Sequence, residues 1–235
     1  MTTLCQIQLS CPVCSNEFTS RAVTSTNAFG GKATDFHERA AGEQPLPYLI
    51  HTCPWCGYTG SERDFGKDVE VMPLTKARVW NELAPKLTSW PMTGSDRYEF
   101  AAKIAIWQGT AARWVAELLL RAAWCCVDEG DVEAERYFRR HAAWVFERAL
   151  GTPDGVAGEE RAGITYLVGE LWRRVGDLKE ARRWFDAVPG EVVNPYRQQW
   201  IINAAKQQRD NPKESFRRRD LQFAERRPYS DVDKL

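Results

Sequence analysis

The spacing of apolar residues along the chain changes near residue 70. Before that point the sequence is rich in Gly, Pro, Thr and Ser and shows little 3.6-residue periodicity. From about residue 75, apolar residues recur at intervals of three and four, as on one face of an α-helix. Residues 112–126 carry the clearest stripe, wide enough for a mostly buried helix. The pattern predicts a mainly α-helical chain that begins with a small part of a different kind.

Capping residues indicate where the helices begin and end. Asp96 and Asp177 each precede a Glu by three residues, which is the form of a capping box at a helix start. The Gly-Asp pairs at residues 130–131 and 176–177 suit turns that end one helix and start the next. The predicted helices span residues 75–87, 96–109, 112–129, 132–150, 159–175, 178–187 and 195–209.

Two of the predicted helical hairpins resemble each other. In YLVGELWRRVGDLKEARRWF, residues 166–185, Gly169, Trp172 and Ala181 surround a Gly-Asp turn. This arrangement is similar to the tetratricopeptide pattern of paired helices, and residues 120–138 carry a divergent version of it. We therefore predict a tetratricopeptide-like domain of antiparallel helical hairpins.

Tryptophan is frequent, with 10 residues in 235. Most are expected to pack between helices, because indole rings supply a large apolar area on otherwise charged helices. The alternative is that Trp80, Trp90 and Trp200 line a groove that binds a peptide.

Charge and hydropathy exclude some classes of protein. The 32 basic and 32 acidic residues balance, so the overall charge does not call for nucleic acid or an anionic membrane. No secretory signal is visible in MTTLCQIQLSCP, and the most apolar run, residues 111–127, is interrupted by Arg113, Glu117 and Arg121. We expect a soluble, cytoplasmic protein that does not bind membranes.

The chain is predicted to comprise an amino-terminal module, residues 1–70, a helical domain, residues 71–210, and a flexible charged tail, residues 211–235. The tail has few aliphatic residues and many charges. Its arginine clusters leave contact with RNA or an acidic partner as an alternative to a solvated segment.

Two copies of a Cys-Pro-x-Cys motif dominate the amino-terminal module. Cys11 and Cys14 form the first, and Cys53 and Cys56 form the second. Each motif can direct two sulfurs at one point, so the pair supplies the four thiolates that tetrahedral zinc prefers. The 38 residues between the motifs exceed the spacing in a compact zinc ribbon. Because the cost of loop closure grows slowly with length, the long spacer is compatible with one structural Zn²⁺ held by all four cysteines.

Other roles for these residues stay open. Cys5, His37 and His51 lie in the same module and could form a second metal site or replace a ligand. A redox dithiol would need a Cys-x-x-Cys at a helix start within a βαβ unit, which neither motif has. Four thiolates would leave no open position on zinc, and GxSxG, Walker, GxGxxG and HExxH motifs are absent from the sequence. We therefore predict no catalytic residues and no enzyme activity.

Several separated motifs, in order, resemble a bacterial family catalogued as domain of unknown function 2225. They are CPVCSNEF, TDFHERA, CPWCGYTGSERDF, LRAAW, YLVGELWRRVGDLKEARRWF and NPYRQQW. The resemblance covers nearly the whole chain up to about residue 210. It implies a zinc-ribbon-like part joined to tetratricopeptide-like helices, with Cys11, Cys14, Cys53 and Cys56 as metal ligands. Ser15 stands where the family has glycine after the first motif.

Together these patterns favour a non-catalytic zinc-binding scaffold whose helices bind another protein. A zinc ribbon that binds nucleic acid with help from the basic tail is the first alternative. A metalloenzyme or redox dithiol protein is the second.

Overall fold

The computed structural model describes residues 1–87 and 91–216. Within these residues the fold is mainly helical, and small antiparallel strand pairs occupy the amino-terminal part. The helices are α1 (Pro73–Arg78), α2 (Gly94–Trp107), α3 (Ala112–Glu129), α4 (Val132–Leu150), α5 (Gly158–Val175), α6 (Leu178–Ala187) and α7 (Pro195–Asp210). The strands are β1 (Thr3–Ser10), β2 (Glu17–Ser25), β3 (Gly31–Lys32), β4 (Glu38–Arg39), β5 (His51–Thr52) and β6 (Thr59–Gly60).

The strands pair in sequence order. β1 pairs with β2, β3 with β4, and β5 with β6, all antiparallel. The β1–β2 turn holds the first Cys-Pro-x-Cys motif, and the β5–β6 turn holds the second. Each cysteine pair is therefore carried on the turn of its own hairpin, and β3 and β4 lie between the two hairpins in the sequence.

Helices α2 to α7 begin and end within two residues of the predicted positions. Gly130 and Gly176 adopt the left-handed conformation that ends α3 and α5, with φ of 80° and 94°. Asp177 caps α6 as predicted, because its side chain accepts a hydrogen bond from the N–H of Glu180. The predicted cap at Asp96 is wrong: the side chain of Thr93 accepts the N–H of Asp96, so α2 begins two residues earlier.

The first predicted helix is less regular than its pattern suggests. α1 continues as one π-helical turn, Val79–Leu83, and then as a 3₁₀ turn, Ala84–Lys86. Pro85 lies in the 3₁₀ turn, where its ring nitrogen has no hydrogen with which to continue an i→i−4 series.

Buried apolar side chains form clusters that cross the predicted boundary at residue 70. One cluster contains Cys11, Cys53 and Cys56 together with Leu83 of the π-helical turn and Phe100 of α2. A second cluster fills the space among α3 to α7. In a third, Cys125 and Cys126 are small core residues. The amino-terminal strands and the first helices thus share one core.

The spacer between the two cysteine motifs inserts part of its length into the helical region. We call residues 34–37 the inserted segment. The carboxylate of Asp35 accepts hydrogen bonds from Arg139 of α4, at 2.6 Å, and from the indole N–H of Trp124 of α3, at 2.9 Å. Burial alone would raise the pKa of Asp35, but the charges of Arg139 and Arg174 outweigh it and hold that pKa well below its usual range. Asp35 is therefore a buried, paired carboxylate that joins the spacer to the helices.

A second buried carboxylate, that of Glu170 of α5, also binds the inserted segment. The hydroxyl of Thr34 donates to Glu170 Oε1 at 2.6 Å, and the amide of Gln208 donates to Oε2 at 2.8 Å. The guanidinium groups of Arg173 and Arg174 also donate to this carboxylate. Both oxygens of Glu170 thus accept hydrogen bonds, as a fully buried charge requires.

The two aromatic residues of the inserted segment also pack against the helices. Phe36, at φ of 70°, lies 5.4 Å from Tyr166 and 6.0 Å from Phe216, measured between ring centroids. The ring of His37 stacks on Trp124 at 5.1 Å. Burial lowers the pKa of His37 to about 4, so its imidazole is neutral at pH 7.

The predicted flexible tail begins at residue 211, but residues 211–216 contact the amino-terminal part. Ser215 forms an isolated β-bridge with Ala33, and the N–H of Phe216 donates to the carbonyl of Lys32 at 3.0 Å. The rest of the predicted tail, residues 217–235 with both arginine clusters, lies outside the described residues.

The tryptophans proposed as a groove fall in different parts of the fold. Trp200 of α7 is partly buried against the cluster among α3 to α7, whereas Trp80 lies exposed on the π-helical turn. Trp90 lies outside the described residues. In the described part of the chain, no helix has the length and apolar character needed to cross a membrane.

Candidate metal centre

The two cysteine motifs fold into nearly identical turns. In the first, the N–H of Cys11 donates to the carbonyl of Asn16, and the N–H of Ser15 donates to the carbonyl of Cys11. In the second, the N–H of Cys53 donates to the carbonyl of Tyr58, and the N–H of Gly57 donates to the carbonyl of Cys53. Equivalent hydrogen bonds at equivalent positions orient both cysteines of each motif in the same way.

The residue after each motif adopts the left-handed conformation. φ is 61° at Ser15 and 82° at Gly57. Only glycine adopts this region without a steric penalty, so the departure at Ser15 leaves one strained residue in the first turn. The backbone geometry of the turn is nevertheless the same with serine as with glycine.

All four predicted ligands come together. Their sulfurs lie within 4.8 Å of one another, and the Cys11–Cys56 and Cys14–Cys53 sulfur pairs are each 3.6 Å apart. Four sulfurs placed tetrahedrally at the zinc–sulfur distance of about 2.3 Å would be about 3.8 Å apart. A disulfide requires about 2.05 Å, and all four cysteines are free thiols. The spacing therefore matches a set of ligands around one metal ion.

Electrostatics gives a second reason to place a cation here. Hydrogen bonds from the thiols of Cys53 and Cys56 lower the pKa of Cys11 to about 4. The interaction with Cys11 in turn raises the pKa values of Cys53 and Cys56. One thiolate is thus stabilised by its neighbours, while further ionisation is opposed by the charge already present. A divalent cation would remove that opposition and allow all four sulfurs to ionise.

The site is closed on most sides. Cys11, Cys53 and Cys56 are buried, and Cys14 is half-buried. The second turn packs closely against the helices at Gly57. A Cβ at this position would lie 3.1 Å from Cβ of Leu83 and 3.3 Å from the ring of Phe100, so the lack of a side chain permits the contact. The second turn is therefore fixed by the core that it shares with the π-helical turn and α2.

The other residues proposed as ligands lie elsewhere. His37 belongs to the inserted segment, stacked on Trp124, and its Nε2 lies 3.6 Å from Asp128. His51 Nδ1 is hydrogen-bonded to the hydroxyl of Ser20 at 2.9 Å, and burial lowers its pKa to about 4. Among residues 1–87 and 91–216, the four cysteines are the sole group of three or more His, Cys, Asp or Glu side chains that could hold a metal ion. The second site considered from the sequence is therefore absent from the described residues.

Sequence reasoning did not identify Asp35, Arg139 and Glu170 as the residues that attach the spacer to the helices. The sequence feature that could have indicated this role is the TDFHERA motif, a charged stretch within the long spacer between the two cysteine motifs. Nothing in the spacing indicated that its partners lie on α4 and α5.

We expect opposite effects from substitutions after the two motifs. Gly57→Ala should destabilise the protein by about 2 kcal/mol, because it adds a left-handed alanine and crowds Leu83 and Phe100. Ser15→Gly should stabilise it by less than about 1 kcal/mol, since relief of strain is partly offset by a freer unfolded chain. Guanidinium unfolding in zinc-buffered solution measures both. Shifts of the same sign would contradict the shared turn geometry.

Comparison with known proteins places the chain among bacterial proteins. No curated protein and no solved structure matches it. A family model described as "Uncharacterized protein conserved in bacteria (DUF2225)" matches residues 4–212, which include the four cysteines and all seven helices described above. Because this match covers most of the 235 residues, the chain belongs to that family of bacterial proteins, as its motifs indicated.

Proposed function

We propose that the protein is a non-catalytic, cytoplasmic scaffold in which a structural Zn²⁺ at Cys11, Cys14, Cys53 and Cys56 supports tetratricopeptide-like helices that bind another protein. The observation that carries this proposal is the group of four cysteine sulfurs within 4.8 Å. Soft thiolate ligands in a tetrahedral arrangement favour zinc over the hard cations Mg²⁺ and Ca²⁺.

The ligand set also favours a structural role over a catalytic one. A catalytic zinc normally has three protein ligands and keeps its fourth position for water or substrate. Four thiolates would occupy every position. Burial of three of the four cysteines further limits the access of a substrate to the ion.

The helical hairpins support the proposed similarity to tetratricopeptide repeats. α5 and α6 approach closely at Gly169, where a Cβ would lie 2.7 Å from the ring of Phe185. α3 and α4 are joined by the same combination as α5 and α6, a left-handed glycine followed by a capping aspartate. Repeats of this kind expose helix faces that serve as binding surfaces for other proteins.

Substitution with cobalt tests the metal assignment. The protein purified with Co²⁺ should bind one ion per chain and show the intense sulfur-to-cobalt charge-transfer bands and ligand-field bands of a tetrahedral tetrathiolate. Zn²⁺ should displace the cobalt stoichiometrically. A spectrum with nitrogen or water ligands would instead support an open, enzyme-like site and would contradict the scaffold.

A further inference from the structure

An uncovered row of aromatic side chains follows one face of α4. Tyr137 is 51% exposed and Trp144 is 48% exposed, with His141 between them. The ring centroids of Tyr137 and His141 are 4.0 Å apart, and those of His141 and Trp144 are 5.3 Å apart. Trp172 of α5 lies beneath the end of the row, 6.2 Å from Trp144. Exposed aromatic side chains grouped in this way are typical of protein-binding surfaces.

An acidic cavity adjoins the first residue of this row. It is an open depression of about 650 Å³ that lies where the starts of α2 and α4 meet the end of α3. Tyr137 and Phe138 form part of its wall. The carboxylates that line it are Asp96, Glu99, Glu129, Asp131 and Glu133, and its lining includes no Lys or Arg.

Helix capping accounts for only part of this negative charge. Glu129 accepts hydrogen bonds from Ser95, and Asp131 caps α4. The starts of two helices carry about half a positive charge each, and Lys103 pairs with Glu99 at 2.6 Å. The end of α3 adds about half a negative charge, and the Arg97 guanidinium interacts with Glu129, so about two to three of the five negative charges remain uncompensated. Concave sites with one sign of charge concentrate ligands of the opposite sign.

Asp96 and Glu133 are the carboxylates most available to a ligand. Both are exposed, and neither forms an ion pair with a Lys or Arg of the described residues. They approach the cavity from different helices, α2 and α4. A cationic side chain that enters the cavity could therefore contact a carboxylate on each side while it passes the ring of Tyr137.

We propose that the cavity and the aromatic row together bind an Arg- or Lys-containing segment of a partner protein. The basic side chain occupies the acidic cavity, where the face of Tyr137 adds a cation–π contact, and an apolar side chain that follows packs on Trp144. This inference rests on the proposed protein-binding role of the helices and specifies the chemistry of the partner.

The charges on α4 also set the direction of the segment. Arg148 is exposed one turn beyond Trp144, at the end of the row away from the cavity, whereas Arg140 lies within about one turn of both Tyr137 and Trp144. Arg148 would repel a second basic cluster at that end. This repulsion favours a ligand whose basic residue binds at the start of α4. It also favours an uncharged or acidic ligand residue over Trp144.

Fluorescence anisotropy with defined peptides tests this assignment. The probe is a fluorescein-labelled peptide that carries Arg-Arg followed by Leu-Leu in a Gly-Ser background. Two comparison peptides replace Arg-Arg with Glu-Glu or with Gln-Gln. The full-length zinc-loaded protein should bind the Arg peptide most tightly, and binding should weaken as salt concentration rises.

Paired variants locate the binding surface. Asp96→Asn with Glu133→Gln should weaken binding by about fivefold, and Trp144→Ala by about tenfold. The matched controls are Asp68→Asn with Glu70→Gln, which removes the same charges from an exposed loop, and Tyr196→Ala, which removes an exposed aromatic ring. Both controls should bind like the unmodified protein. Equal binding by all variants, or no preference for the Arg peptide, would overturn the proposal.

The chain's own basic residues, Arg217 to Arg219, are a second candidate ligand for the acidic cavity, and a variant tests them. A full-length variant with Arg217, Arg218 and Arg219 replaced by serine should bind the peptide as the unmodified protein does. Much tighter binding by this variant would identify the chain's own segment as the ligand and overturn the assignment to a partner. A protein that holds one zinc through four sulfurs but binds no basic peptide would refute this inference while leaving the metal assignment intact.

Discussion

Cys56→Ser is expected to abolish stable metal binding and to unfold the amino-terminal part of the chain. Structural zinc contributes an apparent binding free energy of about 10 to 16 kcal/mol, which is comparable with or larger than the net stability of about 5 to 15 kcal/mol of a typical domain. The side chain of Cys56 is fully buried, and its sulfur lies 3.6 Å from that of Cys11. A serine hydroxyl at this position is a far weaker zinc ligand than a thiolate.

The unfolded region should extend beyond residue 70. Cys56 shares a buried cluster with Leu83 and Phe100, so α1 and the adjoining face of α2 lose packing when the metal site collapses. We expect rapid hydrogen exchange over the strands, α1 and part of α2, with slower exchange retained in α4 to α6. Treatment of the unmodified protein with a chelator during refolding should produce the same pattern.

Cys5→Ser is the matched control, because Cys5 lies in β1 and outside the four-sulfur group. This variant should keep one zinc per chain and the exchange pattern of the unmodified protein. Normal exchange in the strands of Cys56→Ser or of metal-free protein would show that the metal is unnecessary for this part of the fold.

Asp35→Asn is expected to cost about 3 to 5 kcal/mol, the usual penalty for breaking a buried ion pair. The substitution removes the negative charge that faces Arg139, whose side chain is 1% exposed, and leaves the guanidinium with Glu135 as its remaining carboxylate partner. Arg139 and Trp124 both donate to Oδ2 of Asp35, so an asparagine oxygen at that position would keep two neutral hydrogen bonds, and the main loss is that of the charge. The resulting loss is a large fraction of a typical domain's stability.

Denaturant unfolding at constant free zinc measures this loss of stability. A double-mutant cycle tests whether the loss comes from the interaction between Asp35 and Arg139. Arg139→Met removes the buried cation, so the pair Asp35→Asn with Arg139→Met should be less destabilised than the sum of the single variants. Asp210→Asn is the control, because Asp210 forms its ion pair with Arg209 at the surface. The unfolding midpoint of this variant should equal that of the unmodified protein. Additive single effects would show that Asp35 and Arg139 are not coupled.

Much of the helical region could be predicted because its signals are local. A Gly-Asp pair ends one helix and begins the next through the conformation of the glycine and the capping oxygen of the aspartate, whatever surrounds it. The start of α2 shows where this reasoning fails. Thr93 and Asp96 both resemble caps, and the structure uses Thr93, three residues before Asp96. Local chemistry alone does not choose between them.

The four cysteines could also be predicted, since their repeated spacing is specific to tetrahedral thiolate sites. The role of the spacer could not. Asp35 meets Arg139 across 104 positions of sequence, and Thr34 meets Glu170 across 136. Neither the spacing of apolar residues nor the helix-capping residues indicate contacts between such distant positions. Neither does the sequence show that the first and second motifs pack against residues as distant as Phe100.

The partners of the inserted segment have a consequence for synthesis of the chain on the ribosome. Thr34 is held by Glu170 and by the carbonyls of Lys213 and Glu214, which are translated long after the second cysteine motif. At about 5 to 20 residues per second, these partners follow Cys56 by roughly 6 to 30 s. During that interval both cysteine pairs have left the ribosome without the contacts that hold the intervening segment. If the four sulfurs take up the proposed Zn²⁺ in that interval, the ion would hold the two cysteine hairpins together before the contacts of the inserted segment can form.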